Sequence, residues 1–286
     1  MAIPRRTAPV PQATTRPGRP AAQGGPVSAL TLTLPEHLAR AEVLRVALVG
    51  CGATGSECAD MLYRMDAVFR ATGAGMLDVS LYDGDTVEAH NVGKQRFWAM
   101  DIGRNKATAL ATRYNLAAGL TWADHSHRAD TDVLADHDIV ITAVDNAAYR
   151  CDLGEAWLKG KGRAAVWIDL GVGGHEGQFV AGVRSDPIHA PCVYALYRDS
   201  LRATAEAEQD TPPTGCSSVE RSLSEQSLFI NQWLSTYAGS WLHDFLTRGV
   251  ATHHGGFFDL ATGSATPLTA DIDVWASLGY APEAGA

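Results

Sequence analysis

No stretch of the chain approaches the roughly 20 consecutive apolar residues that a membrane-spanning helix needs. Its first residues also lack the uninterrupted apolar segment of a secretory signal. Positive charge is in short supply, with 23 Lys and Arg against 32 Asp and Glu and a formal net charge of −9. That balance argues against a general affinity for nucleic acid, which relies on basic side chains neutralising phosphates. Cysteine is scarce and odd in number, at positions 51, 58, 151, 192 and 216. Together these absences point to a cytoplasmic protein with free thiols, neither secreted nor embedded in a membrane.

What is present is enough apolar material, 46% of 286 residues, for a sizeable buried core. It is unevenly placed. Residues 1–38 are rich in Pro, Gly, Ala and Thr with scattered Arg and no apolar periodicity, and read as a flexible tail. The folded unit is expected over residues 39–286. "RVALV", Arg45 to Val49, is an apolar run suited to a parallel strand covered on both faces. Cys58, Met61, Leu62, Met65, Val68 and Phe69 then recur at helical spacing. The segments "MLDVSLYDGD", "NKATALATRYNLAAG", "LTWADHS" and "DHDIVITAV" continue the strand and helix alternation, and "AAVWIDLGVGG" and "GQFVAGV" add further strands.

From Ser185 to Gly215 the pattern gives way to prolines and charges, which reads as a crossover loop. Ser222 and Glu225 match a capping box that opens a long helix reaching about Arg248, and a short hairpin or two should follow. Its Trp233 and Trp241, eight apart, lie on a face expected to be core or subunit interface. The fold class is therefore α/β, with a Rossmann-like, doubly wound, mostly parallel sheet, a crossover loop, and a C-terminal helix with short antiparallel strands.

In such a sheet, residues just past the strand ends meet around one ligand. The first turn, "GCGATG", places Gly50, Gly52 and Gly55 before a helix N-terminus, an arrangement that suits a dinucleotide as readily as ATP. Asp83 ends the second strand, where an acid can accept hydrogen bonds from a ribose. The next loop packs Asp85, Asn91, Lys94, Gln95 and Arg96 together, more cationic charge than a pyrophosphate alone requires. Lys106 opens a helix, and Asp145 ends a strong strand, where a carboxylate can hold Mg²⁺. Cations, lysine and acid together point to a triphosphate.

The set "GCGATGS", "DGDTVEAHNVGKQ", "DIGRNKA" and "AVDNAAYR", in this order, resembles the ThiF/MoeB and ubiquitin-activating-enzyme family of adenylating proteins over about residues 44–250. Among its branches the chain is most similar to the ThiF-related proteins of ParB-related, ThiF-related plasmid cassettes. The resemblance implies ATP-dependent adenylation of the C-terminal glycine carboxylate of a small ubiquitin-like protein, in a homodimer. It implies that Asp145 holds Mg²⁺, Lys106 and Lys94 face the phosphates, Asp83 the ribose, and Asn91 and Gln95 the nucleotide, while Arg150 supports its loop. It also implies that Cys216, between the loop and the long helix, receives the acyl group as a thioester, helped by a nearby helix N-terminus. Cys192 is the second choice, and Cys51, Cys58 and Cys151 read as packing residues.

The chain departs from the family at three points. Lys94 stands where arginine is usual, and a point charge is not equivalent to a planar fork on phosphate, although Arg96 is near enough in sequence to substitute. The two C-x-x-C zinc pairs are missing, with Ala195 at the partner position of Cys192, so no structural zinc is expected. The arginine-bearing helix before the first strand is also absent. An NAD-dependent oxidoreductase shares the glycine turn and Asp83 but leaves Lys106 and Asp145 unused, and a non-catalytic ATP or ubiquitin-like-protein binding module is the third alternative. His253 and His254, adjacent in sequence, read as a solvated loop and not as a metal pair.

Overall fold

The computed structural model describes residues 30–210 and 227–277. Two short strands, β1 (Leu32–Thr33) and β8 (Val250–Ala251), pair antiparallel, and the short helix α1 (Glu36–Ala39) follows β1. Leu32, Leu34 and Leu38 are buried, so folded structure begins inside the segment assigned to the tail. These leucines alternate over only a few residues, too short a run to stand out beside the Pro- and Gly-rich stretch before them.

The remaining strands form one eight-stranded sheet. In chain order they are β2 (Val43–Val49), β3 (Met76–Tyr82), β4 (Ala123–His125), β5 (Ile139–Thr142), β6 (Val166–Val172), β7 (Glu176–Val183), β9 (His253–Asp259) and β10 (Ser264–Thr269). Their spatial order is β10-β9-β7-β6-β5-β2-β3-β4. Strands β4, β3, β2, β5 and β6 run parallel, while β7, β9 and β10 continue the sheet antiparallel. Consecutive burial of Val46, Ala47, Leu48 and Val49, and of all four residues of β5, is what strands covered on both faces require.

Helices cover both faces. On one side α2 (Ala53–Thr72), α3 (Lys106–Ala118) and α7 (Ile230–Arg248) enclose a core that includes Cys58, Leu62, Phe69, Leu110, Leu234 and Phe245. On the other, α4 (Val133–Asp136), α5 (Ala147–Leu158), α6 (Val193–Asp210) and α8 (Ile272–Ser277) enclose Leu153, Trp157, Tyr194 and Trp275. The stripe read for α2 holds except at Val68, which is 49% exposed. No described helix is long and apolar enough to cross a membrane.

The supposed crossover loop is largely the helix α6, kinked at Tyr197 and packed on α5. A methyl group at Gly154 would collide with the Tyr194 ring, so the two helices approach as closely as glycine permits. His253 and His254 belong to β9, not to a solvated loop, and His254 is fully buried, its Nδ1 3.1 Å from the Ala181 carbonyl. Trp241 is 4% exposed and donates its indole N–H to His253 O at 2.7 Å, so it serves the subunit's own core. Trp233 is 41% exposed and packs on Phe258. The capping box at Ser222 and Glu225 lies outside the described residues.

Candidate active site

The C-terminal ends of β2, β3, β5 and β6 open onto one cavity of about 770 Å³, the place where a doubly wound sheet receives its ligand. Its floor is the turn between β2 and α2. Gly50 has φ +87°, and a β-carbon there would lie 2.6 Å from Ala143 O. A β-carbon at Gly55 would collide with the Gly50 carbonyl. Gly52, by contrast, lines the cavity with nothing within 4 Å of where a β-carbon would point. Gly50 and Gly55 are thus demanded by the chain's own packing, whereas Gly52 leaves room at a helix N-terminus, where backbone N–H groups favour an anion.

Asp83 follows β3 directly. Its carboxylate accepts from Cys51 N at 2.6 Å and Asp85 N at 2.8 Å, which fixes the turn and the acid together. Burial pushes its pKa up, while the backbone donors and Lys106 oppose that shift. The amide of Asn105 caps α3 by accepting from Thr108 N at 3.1 Å, and its nitrogen donates to the carbonyls of Asp83 and Asp85. Lys106, the first residue of α3, is thereby delivered into the cavity wall, with Nζ 3.2 Å from Asp85 Oδ2 and the residue 9% exposed.

Lys94 and Gln95 also line the cavity, and burial lowers the pKa of Lys94. Asn91 does not: its side chain accepts from Glu88 N at 2.8 Å and caps a short turn. Arg96 faces α2, where it pairs with Glu57 at 3.0 Å and Asp60 at 2.5 Å. Lys94 is therefore the loop cation at the cavity, and Arg96 is occupied elsewhere.

Asp145 follows β5 at the opposite wall and is exposed to the cavity. Beneath it lies a network that sequence reasoning missed. Arg150 Nε donates to Asp169 Oδ1 at 2.9 Å and its Nη2 to Leu170 O at 3.0 Å. Thr142 donates to the same Asp169 oxygen at 2.6 Å and receives Trp167 Nε1 at 3.0 Å. Burial works against the charge on Arg150, but Asp169 outweighs it and raises the pKa. Arg150 was expected to support its loop; its partner, the sole acid in "VWIDLGV", was the available signal. Glu208, on α6, accepts from Ala147 N at 3.0 Å and caps α5 beside Asp145.

Among the described residues no group of three or more His, Cys, Asp or Glu side chains converges to hold a metal ion. A divalent cation at Asp145 would thus depend on phosphate oxygens for further ligands, as Mg²⁺ sites commonly do. Cys216 lies outside the described residues. Cys192 is 1% exposed, with its thiol pushed up to about 12 by burial, which removes it as a ready nucleophile. Cys51 and Cys58 are fully buried, and burial likewise raises both thiols, as packing residues require.

A parallel sheet whose strand ends gather a glycine turn, two lysines and opposed carboxylates defines a nucleotide-binding α/β protein of the doubly wound class. The ThiF family model matches residues 28–243, and the chain belongs to that family. It is 34% identical over 103 residues to the ATP-dependent ubiquitin transferase-like protein Cap2 of Vibrio cholerae, covering 35% of this chain and only 17% of that one. Among solved structures, PaaA aligns with a TM-score of 0.56 at 18% identity, over 82% of this chain and 75% of its own. Escherichia coli MccB with ATP gives 0.56 at 14%, over 87% and 67%. MccB with MccA gives 0.57 at 13%, over 87% and 68%.

Proposed function

We propose that the chain uses ATP to adenylate the C-terminal carboxylate of a small protein or peptide. The observation that carries this reading is the meeting of the open Gly52 turn, Lys94, Lys106 and Asp145 around one cavity. The carboxylate oxygen attacks the α-phosphorus, the bond to the β-phosphate oxygen breaks, and pyrophosphate leaves. Little covalent help is needed: the protein must hold the groups in line and oppose the phosphate charge. Lys94 and Lys106 oppose that charge, Asp83 binds the ribose hydroxyls, and Gln95 bonds the nucleotide. Asp145 would hold Mg²⁺, which supplies further charge neutralisation when bound. Asn91 supports the loop that carries Lys94 and Gln95.

A second cavity of about 410 Å³ runs along β6, β7, β9 and β10 and shares Gly171 and Val172 with the first. Its glycine-lined start supports a slim, extended tail, and a small ubiquitin-like protein ending in glycine is the substrate we favour. The names of Cap2 and of MccB bound to MccA agree with that class. Transfer to Cys216 as a thioester, a homodimer and a cytoplasmic setting complete the proposal.

Thermal unfolding of the wild type and Asp145→Ala tests the nucleotide part. A ligand at about 100 times its Kd adds roughly 2.7 kcal/mol to the folded state. Mg·ATP should raise Tm in the wild type, and chelator or Asp145→Ala should reduce the rise. Stabilisation by NADH and not by Mg·ATP would replace this reading with a dehydrogenase.

A further inference from the structure

Asn231, the second residue of α7, is 2% exposed and lies in the wall of the nucleotide cavity. Its Oδ1 accepts from Thr54 Oγ1 at 2.7 Å, while its Nδ2 has no hydrogen-bond partner among the described residues. A buried amide N–H₂ without an acceptor leaves its desolvation uncompensated, and native proteins seldom tolerate this without a reason.

The surroundings hold that amide firmly. Ser235, one turn further along α7, lies with its hydroxyl 3.1 Å from Thr54 O and 2.8 Å from Asn231 O, able to donate to either. Cys58 Sγ approaches the same hydroxyl at 3.3 Å. Thr54 belongs to the first turn of α2, so Asn231 is tied to the element whose free N–H groups face the cavity. The amide thus extends the row of donors at the glycine turn. An anion there also selects its orientation, N–H₂ toward the ligand and oxygen toward the Thr54 hydroxyl.

We propose that Asn231 is a phosphate-binding residue, whose Nδ2 donates to a phosphate oxygen of the nucleotide seated on the Gly50–Thr54 turn. This rests on the nucleotide reading above and adds to it a residue from α7, 177 positions from its anchor on α2. Phosphate is favoured over the substrate carboxylate because Thr54 fixes the amide beside the N-terminus of α2, where an anion is already favoured.

Calorimetric titration of the full chain with Mg·ATP and with adenosine tests the assignment, using Asn231→Asp. That variant keeps the acceptor for Thr54 but turns a carboxylate oxygen toward the phosphate. We expect ATP affinity to fall about tenfold or more, as loss of a charge-assisted hydrogen bond implies, with adenosine affinity unchanged. Equal losses for ATP and adenosine would make Asn231 a structural residue and overturn the assignment. So would unchanged ATP affinity, including a variant impaired only toward the acyl substrate. If the wild type itself fails to bind ATP, the nucleotide reading falls and Asn231's role with it. Asn231→Ala, read by the same comparison, serves if the aspartate variant does not fold.

Discussion

Gly52 and Gly55 stand three residues apart in one turn yet answer to different demands. A methyl group at Gly55 would strike the Gly50 carbonyl, backbone against backbone, so Gly55→Ala should cost about 3 kcal/mol or more in urea unfolding. Gly52 has open space where a β-carbon would point, so Gly52→Ala should cost the free protein far less than Gly55→Ala in the same unfolding measurement. Its methyl group would instead enter the cavity and weaken ATP binding. A variant that lost stability and kept its affinity would reverse this division. The sequence pattern alone shows three glycines; which serve the chain and which the ligand is a matter of what lies within 4 Å. His254 is a second case. Its Nδ1–H donates to Ala181 O and its Nε2 is buried without a partner among the described residues, so burial holds the ring neutral and lowers its pKa to about 4. In the unfolded chain the ring titrates near 6.5. Between those values the unfolded state binds the extra proton, so the stability contributed is complete above about pH 6.5 and is lost as pH falls toward 4, by roughly 3 kcal/mol. Asn can imitate the Nδ1 donor without titrating. Denaturant unfolding of His254→Asn should therefore lose less stability than wild type between pH 7 and pH 4.5; identical losses would show that the ring is not the source.

At the scale of elements, the parallel core was legible because β2 and β5 carry continuous apolar runs and the helices around them carry stripes. α6 was not, since the prolines before and after it and its many charges read as loop. A signal was present: Val193, Leu196 and Leu201 recur at spacings of three and five and face the α5 side of the sheet, and Ala205, four further on, is buried as well. The Arg150–Asp169 pair was equally hidden, because one partner lies on α5 and the other on β6, and no local spacing joins them. The two side chains are 13% and 4% exposed, so removing one strands a buried charge. Asp169→Asn should destabilise by about 3–5 kcal/mol in equilibrium unfolding. Asp145→Asn, an exposed acid on the same wall, should change stability by less than about 0.5 kcal/mol. Equal effects would mean that the pair is solvated in solution.

For the whole molecule, the proposed function assigns the nucleotide residues to the sheet and the acyl acceptor to Cys216, later in the sequence. Adenylation and acyl transfer should therefore separate by mutation. With Mg·ATP and a partner ending in glycine, Asp145→Ala should abolish pyrophosphate exchange, and Lys106→Met should reduce it about a hundredfold or more, since preorganised charge is a large catalytic contribution. Cys216→Ala should leave that exchange near wild type. What it should lose is the next step, in which the Cys216 thiolate attacks the acyl carbon, the bond to the phosphate oxygen breaks, and AMP departs with a thioester left behind. That adduct is read as a band removed by thiol reductant. The buried Cys192 and Cys58, with thiols pushed up to about 12, offer no substitute, which leaves the half-buried Cys151 as the control variant among the described residues. Persistence of the reductant-sensitive band in Cys216→Ala would move the transfer to another residue while leaving the adenylation reading intact; loss of exchange in Cys216→Ala would instead place the cysteine in the first step.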